Sequence, residues 1–138
     1  MKLLCKYVFL FVVGGGIYSL IEIGYRGHTH WTMFIVGGVC FILLGLINEI
    51  VPWDLPLICQ MLMGGAVITG VEFVIGVIVN LILNWGVWDY SHIPFNILGQ
   101  ICLPFSLIWC LISAMGIVLD DYIRYRIFGE KKPKYTLF

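Results

Sequence analysis

Polar residues interrupt this chain at intervals too long for a soluble fold. Apolar runs cover Tyr7–Ile23, Trp31–Ile50, Leu57–Leu83 and Ile97–Leu119, separated by short connections rich in charge, Gly or Pro. A helix that crosses the hydrocarbon of a bilayer needs about 20 apolar residues. The pattern therefore predicts four transmembrane helices, the first short and the third long enough to tilt or overhang. Barrel strands, at about 10 residues with strict alternation, do not fit. The expected fold is an all-α membrane protein, a single transmembrane bundle of two tandem helical hairpins.

The two hairpins read as a parallel internal repeat. Gly14-Gly15-Gly16-Ile17-Tyr18-Ser19-Leu20-Ile21-Glu22 returns as Gly64-Gly65-Ala66-Val67-Ile68-Thr69-Gly70-Val71-Glu72, and Ile35–Phe41 resembles Ile97–Leu103. Units that each cross twice keep the same orientation, so the halves would be related by a pseudo-two-fold axis along the membrane normal. Repeat one would cover about 7–50 and repeat two about 57–119, with a tail at 120–138. Helical spacing then predicts inward stripes: Gly15, Ser19, Glu22 and Arg26 on the first span; Gly65, Thr69, Glu72, Gly76 and Asn80 on the third; Gly99, Cys102, Ser106, Trp109, Ser113, Gly116 and Asp120 on the fourth. Lipid gives helices no hydrophobic reason to associate, so small and hydroxylated residues mark packing seams. Pro104, one turn into the expected fourth span, predicts a kink that frees the carbonyl of Gln100.

Composition sharpens the membrane reading. Of 138 residues, 61% are hydrophobic and only 12% charged, and the mean hydropathy is +1.00, too little polar surface to clothe a soluble sphere of this size. Net charge is zero, but Lys2 and Lys6 precede the first span and Arg124, Arg126, Lys131, Lys132 and Lys134 follow the fourth, while the two outer connections carry Arg26 alone. The positive-inside rule then places both termini in the cytoplasm, with the chain integral to the plasma membrane. Lys2, Lys6 and Tyr7–Val13 also fit the start of a signal peptide, but the repeat treats this segment as a full span. The basic, aromatic tail is expected to lie along an anionic inner leaflet or to dock a cytoplasmic partner. Five cysteines without a C-x-x-C pair indicate neither a disulfide framework nor a zinc site.

Glu72 carries the sharpest chemical signal. An acidic residue at mid-span costs about 2.5–3.5 kcal/mol on insertion scales, so it must be protonated, paired or wetted. A carboxyl whose proton can leave and return is what a proton-coupled carrier requires; a carboxyl held as static glue between helices is the competing reading. Glu22, one turn before Arg26, is either an ordinary i, i+4 pair or part of an outer vestibule in which Arg26 holds an anion or pairs with Asp89. His28, His30 and His92 share the outer side, but His-x-His alone is a weak metal signal, and no metal is assigned. Trp53, Trp85, Trp88 and Tyr90 fit an aromatic belt at the headgroups. The chain lacks a G-x-x-x-x-G-K-[ST] loop and any nucleophile motif. It is expected to be no enzyme, to hold no cofactor and to bind no nucleic acid.

Trp88-Asp89-Tyr90-Ser91, Pro94-Phe95-Asn96 and Gly99-Gln100-Ile101-Cys102-Leu103 resemble the signature of a family of small bacterial membrane proteins named for type IV ABC-transporter permeases, the CmpB-like proteins. Glu72 and Arg26-Gly27 are similar to its pattern too, and the likeness is best over Gly64–Ser113. Where that family shows Arg after the glycine, this chain has Gln100. The resemblance implies a transporter-like role and a joint site of Glu72, Asp89, Asn96 and Gln100. The combined expectation is a permease component or small-solute carrier, with Glu72 handling a proton or cation, Glu22 as its counterpart, Arg26 and Asn80 beside them, and Asp89, Asn96 and Gln100 as outer gate. So few helices enclose little cavity, which implies a homo-oligomer packed through glycine seams, or a partner subunit, possibly a separate ATPase. The alternatives are a non-transporting structural or regulatory membrane protein whose basic tail recruits a cytoplasmic factor and, with no nucleophile to support it, an enzyme acting on lipid.

Overall fold

The computed structural model describes residues 1–52 and 54–138; Trp53, one member of the expected aromatic belt, lies outside the described residues. The architecture is helical. Helix α1 is Lys2–Arg26, α2 Trp31–Ile50, α3 Leu57–Gly76 and α4 Leu103–Phe128. A π-helical stretch, Val77–Ile82, continues α3, so that Leu57–Ile82 forms the third of four helices long and apolar enough to cross a membrane. A long connection then carries a two-residue antiparallel pair, β1 (Asn96–Ile97) with β2 (Ile101–Cys102), before α4 begins.

Two boundaries differ from the expectation. The fourth helix starts at Leu103 instead of Ile97 and runs on to Phe128 instead of stopping at Leu119. Pro104 consequently occupies the first turn of α4, where a missing N–H would have had no helical partner in any case, and it produces no mid-helix kink. Gly99 and Cys102 precede the helix instead of extending its stripe. The reason for the late start is backbone conformation: Phe95 and Leu98 have φ of 58° and 53°, and Gly99 φ of 71°, a left-handed cluster that no continuous α-helix contains. The far extension follows from Asp120, Asp121 and Arg124, which are buried in α4 instead of being solvated in a tail.

The main helix contacts pair α1 with α2 and α3 with α4, and α2 joins the pairs through contacts with both α3 and α4. Between α1 and α2 the backbones approach so closely that side chains are excluded. A Cβ on Gly37 would lie 2.9 Å from the carbonyl oxygen of Gly14, and one on Gly14 the same distance from that of Gly37. Gly64 and Gly65 do the corresponding work between α3 and α4, where added Cβ atoms would stand 2.6 Å from Ser113 Cβ and 2.9 Å from Cys110 Cα. Val36, Cys40, Leu44, Ile47, Ile68, Trp109 and Ile117 form the main core, drawn from α2, α3 and α4. By contrast α1 and α4 stand apart and meet through long aromatic side chains, among them Tyr18 stacked on Trp109 (5.7 Å) and Tyr25 edge-on to Phe105 (5.9 Å).

Both ends of the chain gather at one end of the bundle, where Lys6 donates to Glu130 at 2.6 Å. Residues after Gly129 fold back over this end instead of trailing away: Leu57 N–H donates to the carbonyl of Thr136 at 2.6 Å, satisfying a donor at the start of α3 that the helix cannot pair itself.

Replacing Gly14 by Leu, which forces α1 off α2, is expected to destabilise the fold by about 1–3 kcal/mol or more. The same change at Gly70, where nothing lies within 4 Å of an added Cβ, should leave stability nearly unchanged; reversible unfolding in mixed micelles compares the two.

Candidate functional site

The site is built around Glu72, only 2% exposed. Its position on α3 turns it into the bundle, where the protein supplies two donors from different elements. Tyr90 Oη, on the long connection, donates to Oε1 at 2.9 Å, and Trp109 Nε1, on α4, donates to Oε2 at 3.0 Å. Each carboxylate oxygen thus has one partner, and the three residues tie α3, the connection and α4 together. Tyr90 is itself held by Phe105, whose ring it stacks on at 4.8 Å, while Trp109 is backed by Tyr18.

The π-helical stretch above Glu72 aims Asn80 at the connection. A π-turn inserts an extra residue and rotates side chains relative to an α-helix, which is why such turns mark irregular, often functional places. Asn80 Nδ2 donates to Gln100 Oε1 at 2.8 Å, and Asn80 Oδ1 accepts from Val87 N–H at 2.7 Å. Gln100 in turn donates from Nε2 to Leu98 O, and its carbonyl accepts from Trp88 Nε1, both at 3.0 Å. Asn80 and Gln100 are therefore the hub that folds the connection down onto the bundle. A Cβ at Gly76, one turn earlier, would lie 2.7 Å from Gln100 Oε1, so the hub also needs a glycine beneath it.

Asp89 and Asn96 make their hydrogen bonds within the connection itself. Asp89 is exposed and accepts from Ser91 N–H and Ser91 Oγ at 2.8 and 2.9 Å, and these two bonds hold its carboxyl below the ordinary aspartate range. Asn96 Nδ2 donates to Ile93 O at 2.8 Å, and its Oδ1 accepts from Gly99 N–H at 3.1 Å. Together they shape the turn that carries Tyr90. At Gly99 a Cβ would come within 2.8 Å of Asp89 Oδ1 on a backbone already left-handed, so the turn closes only around glycine. It is Tyr90, sequence neighbour of Asp89 and expected in the aromatic belt, that reaches Glu72.

At the end of α1, Arg26 Nε donates to Glu22 at 2.6 Å and Nη1 to Val87 O at 2.9 Å, which ties α1 to the connection. Its Nη2 is buried and has no partner among the described residues. Arg26 thus pairs with Glu22, not with Asp89. His30 caps α2, its Nδ1 accepting from Thr32 N–H at 3.3 Å, and His28 Nδ1 lies 3.2 Å from Arg26 O; His92 is exposed in the turn. Among the described residues no group of three His, Cys, Asp or Glu is placed to hold a metal.

Two cavities flank the site. One of about 170 Å³ is walled by Glu22, Arg26, Tyr90 and Phe105, the other, of about 520 Å³, by apolar residues from Gly14 to Leu119, and both share Tyr18, Ile21, Trp109 and Ile112 as walls. At the far end of the bundle lies a cluster not anticipated from the sequence. Arg124, 3% exposed, donates from Nε to Asp120 at 2.7 Å and from Nη1 to Glu49, and Lys6 stands 3.9 Å from Glu49. Asp121 accepts from Asn48 and from Tyr135. These residues come from four separate segments. The only signal in the sequence was the run of Asp120, Asp121 and Arg124 continuing the helical spacing past Leu119.

Tyr90→Phe removes one of the two donors to a buried carboxyl and should cost about 1–3 kcal/mol, read by reversible unfolding, with the connection becoming more accessible to protease. Arg124→Met leaves the buried carboxyl of Asp120 without its cation and should cost about 3–5 kcal/mol; adding Asp120→Asn in the same chain should recover part of the loss.

Neither a curated protein nor a solved structure matches the chain. One family does, over residues 6–135, which takes in α1 from Lys6 onward, the other three long helices, the connection and Tyr135. The chain belongs to the family described as Putative ABC-transporter type IV.

Proposed function

We propose that this chain is a transporter-type permease component or small-solute carrier, with both termini cytoplasmic and Glu72 as its proton- or cation-handling group within the membrane. Family membership and four membrane-length helices support the transporter class. The observation that carries the role of Glu72 is its setting. A carboxyl buried among apolar helices has one hydrogen bond from a helix and the other from a loop residue, Tyr90, which a modest movement of the connection would withdraw. Such a group can pass between a satisfied and an unsatisfied state, and that alternation is what coupling a proton or cation to a conformational step requires.

In this reading Asn80, Gln100, Asp89 and Asn96 form the outer gate by shaping the connection, and Arg26 with Glu22 fastens its inner edge to α1. A bundle of four helices encloses too small a volume to form a continuous aqueous path, so the working unit is a homo-oligomer or an assembly with a partner subunit, an ATPase being the class the family name suggests. The second reading, a structural protein whose tail recruits a cytoplasmic factor, draws on the exposed Lys131, Lys132 and Lys134.

Reconstituted into vesicles with a pH-sensitive dye inside, the protein should show proton or cation flux that Glu72→Gln reduces at least about ten-fold, the equivalent of about 1.4 kcal/mol in a barrier, while the variant remains folded. Flux unchanged in a folded Glu72→Gln variant overturns the assignment, and absence of flux together with pull-down of a cytoplasmic protein through the lysines supports the second reading.

A further inference from the structure

The separation of α1 from α4 leaves a cleft along one flank of the bundle. Its lower part, about 520 Å³, is apolar and its rims, Ile17, Ile21, Met115 and Leu119, are exposed on the outer surface of the bundle. Its upper part, about 170 Å³, shares the Tyr18, Ile21, Trp109 and Ile112 walls and ends at Glu22 and Arg26. From Gly14 to Arg26 the cleft follows about 18 Å of helix axis, at about 1.5 Å per residue. An apolar slot of that length, open at the side and closed at one end by a charged group, matches neither an ion nor a sugar. It matches a long-chain amphiphile.

We infer that the α1–α4 cleft binds a single-chain amphiphile, with the acyl chain lying between Gly14 and Trp109 and an oxygen-bearing head, uncharged or singly charged, received by Arg26. The inference names the substrate class of the proposed transport site and so rests on that reading. Three observations select the class. Arg26 Nη2 is a buried donor without a partner among the described residues, and an unmade hydrogen bond in such a place is costly unless a ligand oxygen completes it. Glu22 already takes the Nε side of the same guanidinium at 2.6 Å, so the mouth holds no excess of positive charge for a doubly charged phosphate. The lower walls offer a hydrocarbon chain apolar contact throughout, and Cys40 and Phe41 of α2 form their buried floor, shielded from bulk lipid.

The full chain in nanodiscs is exposed to a mid-chain diazirine analogue of stearic acid, or of its monoacylglycerol, and the photolabelled residues are mapped by mass spectrometry. Labelling of Cys40, Phe41 or Trp109 that saturates and is displaced by the unlabelled amphiphile is expected, since these positions are buried and line the cleft. Gly116→Leu should abolish it: a Cβ there meets only the tip of Leu44, at 2.9 Å, so the added side chain fills the cleft without opposing the fold. Arg26→Met should weaken the competition about ten-fold, as loss of one hydrogen bond to the head predicts. The inference is overturned by label confined to exposed positions, by labelling of the floor unaffected by Gly116→Leu, by equal competition in Arg26→Met, or by crosslinks showing a second copy of the chain seated in the cleft. Flux that ignores Glu72→Gln while the floor is still labelled strikes the transport reading instead, and leaves an amphiphile site without a cargo role.

Discussion

A carboxyl group sealed among apolar helices must be given its hydrogen-bond donors by the protein, because neither lipid nor core residues can supply them. For Glu72 the two donors come from Trp109 on α4 and Tyr90 on the connection, and meeting that single requirement organises much of what surrounds it. Trp109 must face α3, which brings Gly65 against Cys110 and Gly64 against Ser113. Tyr90 must reach inward, which requires the connection to fold down; Asn80 and Gln100 hold it there. The glycines at 76 and 99 are consequences of the same demand, since each lies where the folded connection leaves no room for a Cβ.

The two ends of the bundle solve the problem of charge differently. At the connection end each charge is met by a mixture of side chain and backbone: Arg26 by Glu22 and Val87 O, Asp89 by Ser91. At the terminal end the charges are met by one another, Arg124 and Lys6 against Asp120, Glu49 and Glu130, with Tyr135 and Asn48 on Asp121. Val87 and Ser91, the residues that hold Arg26 and Asp89 there, lie on irregular chain between the third and fourth helices. At the core of the terminal network Arg124 and Asp120 are both buried, and removing either one strands the other. The cleft between α1 and α4 lies between the two ends.

Hydropathy and spacing alone determined a great deal here: four spans, the hairpin pairing, the inward position of Glu72, the seam glycines Gly15 and Gly65, and the Glu22–Arg26 pair. Each depends on a local rule, since hydrophobic run length sets a span and the helical repeat sets a face. The same rules failed at Ile97–Cys102, where an apolar run reads as helix but the chain makes a tight turn and a short β pair. Hydrophobicity cannot distinguish the two, and the left-handed residues that decide the matter include Phe95 and Leu98, whose types carry no turn signal.

Which polar groups meet was settled by contacts between elements far apart in the chain. Tyr90 reaching Glu72, Asn80 reaching Gln100, and Arg124 gathering acids from two other segments join residues 18, 20 and 75 positions apart at the longest link of each set, and no periodicity relates them. The sequence could name Glu72 as a group in need of partners because the cost of a carboxyl in a long apolar run is a property of one residue. The identity of those partners is a property of the packing, set by where glycines let helices close and where the aromatic pairs of α1 and α4 keep them apart.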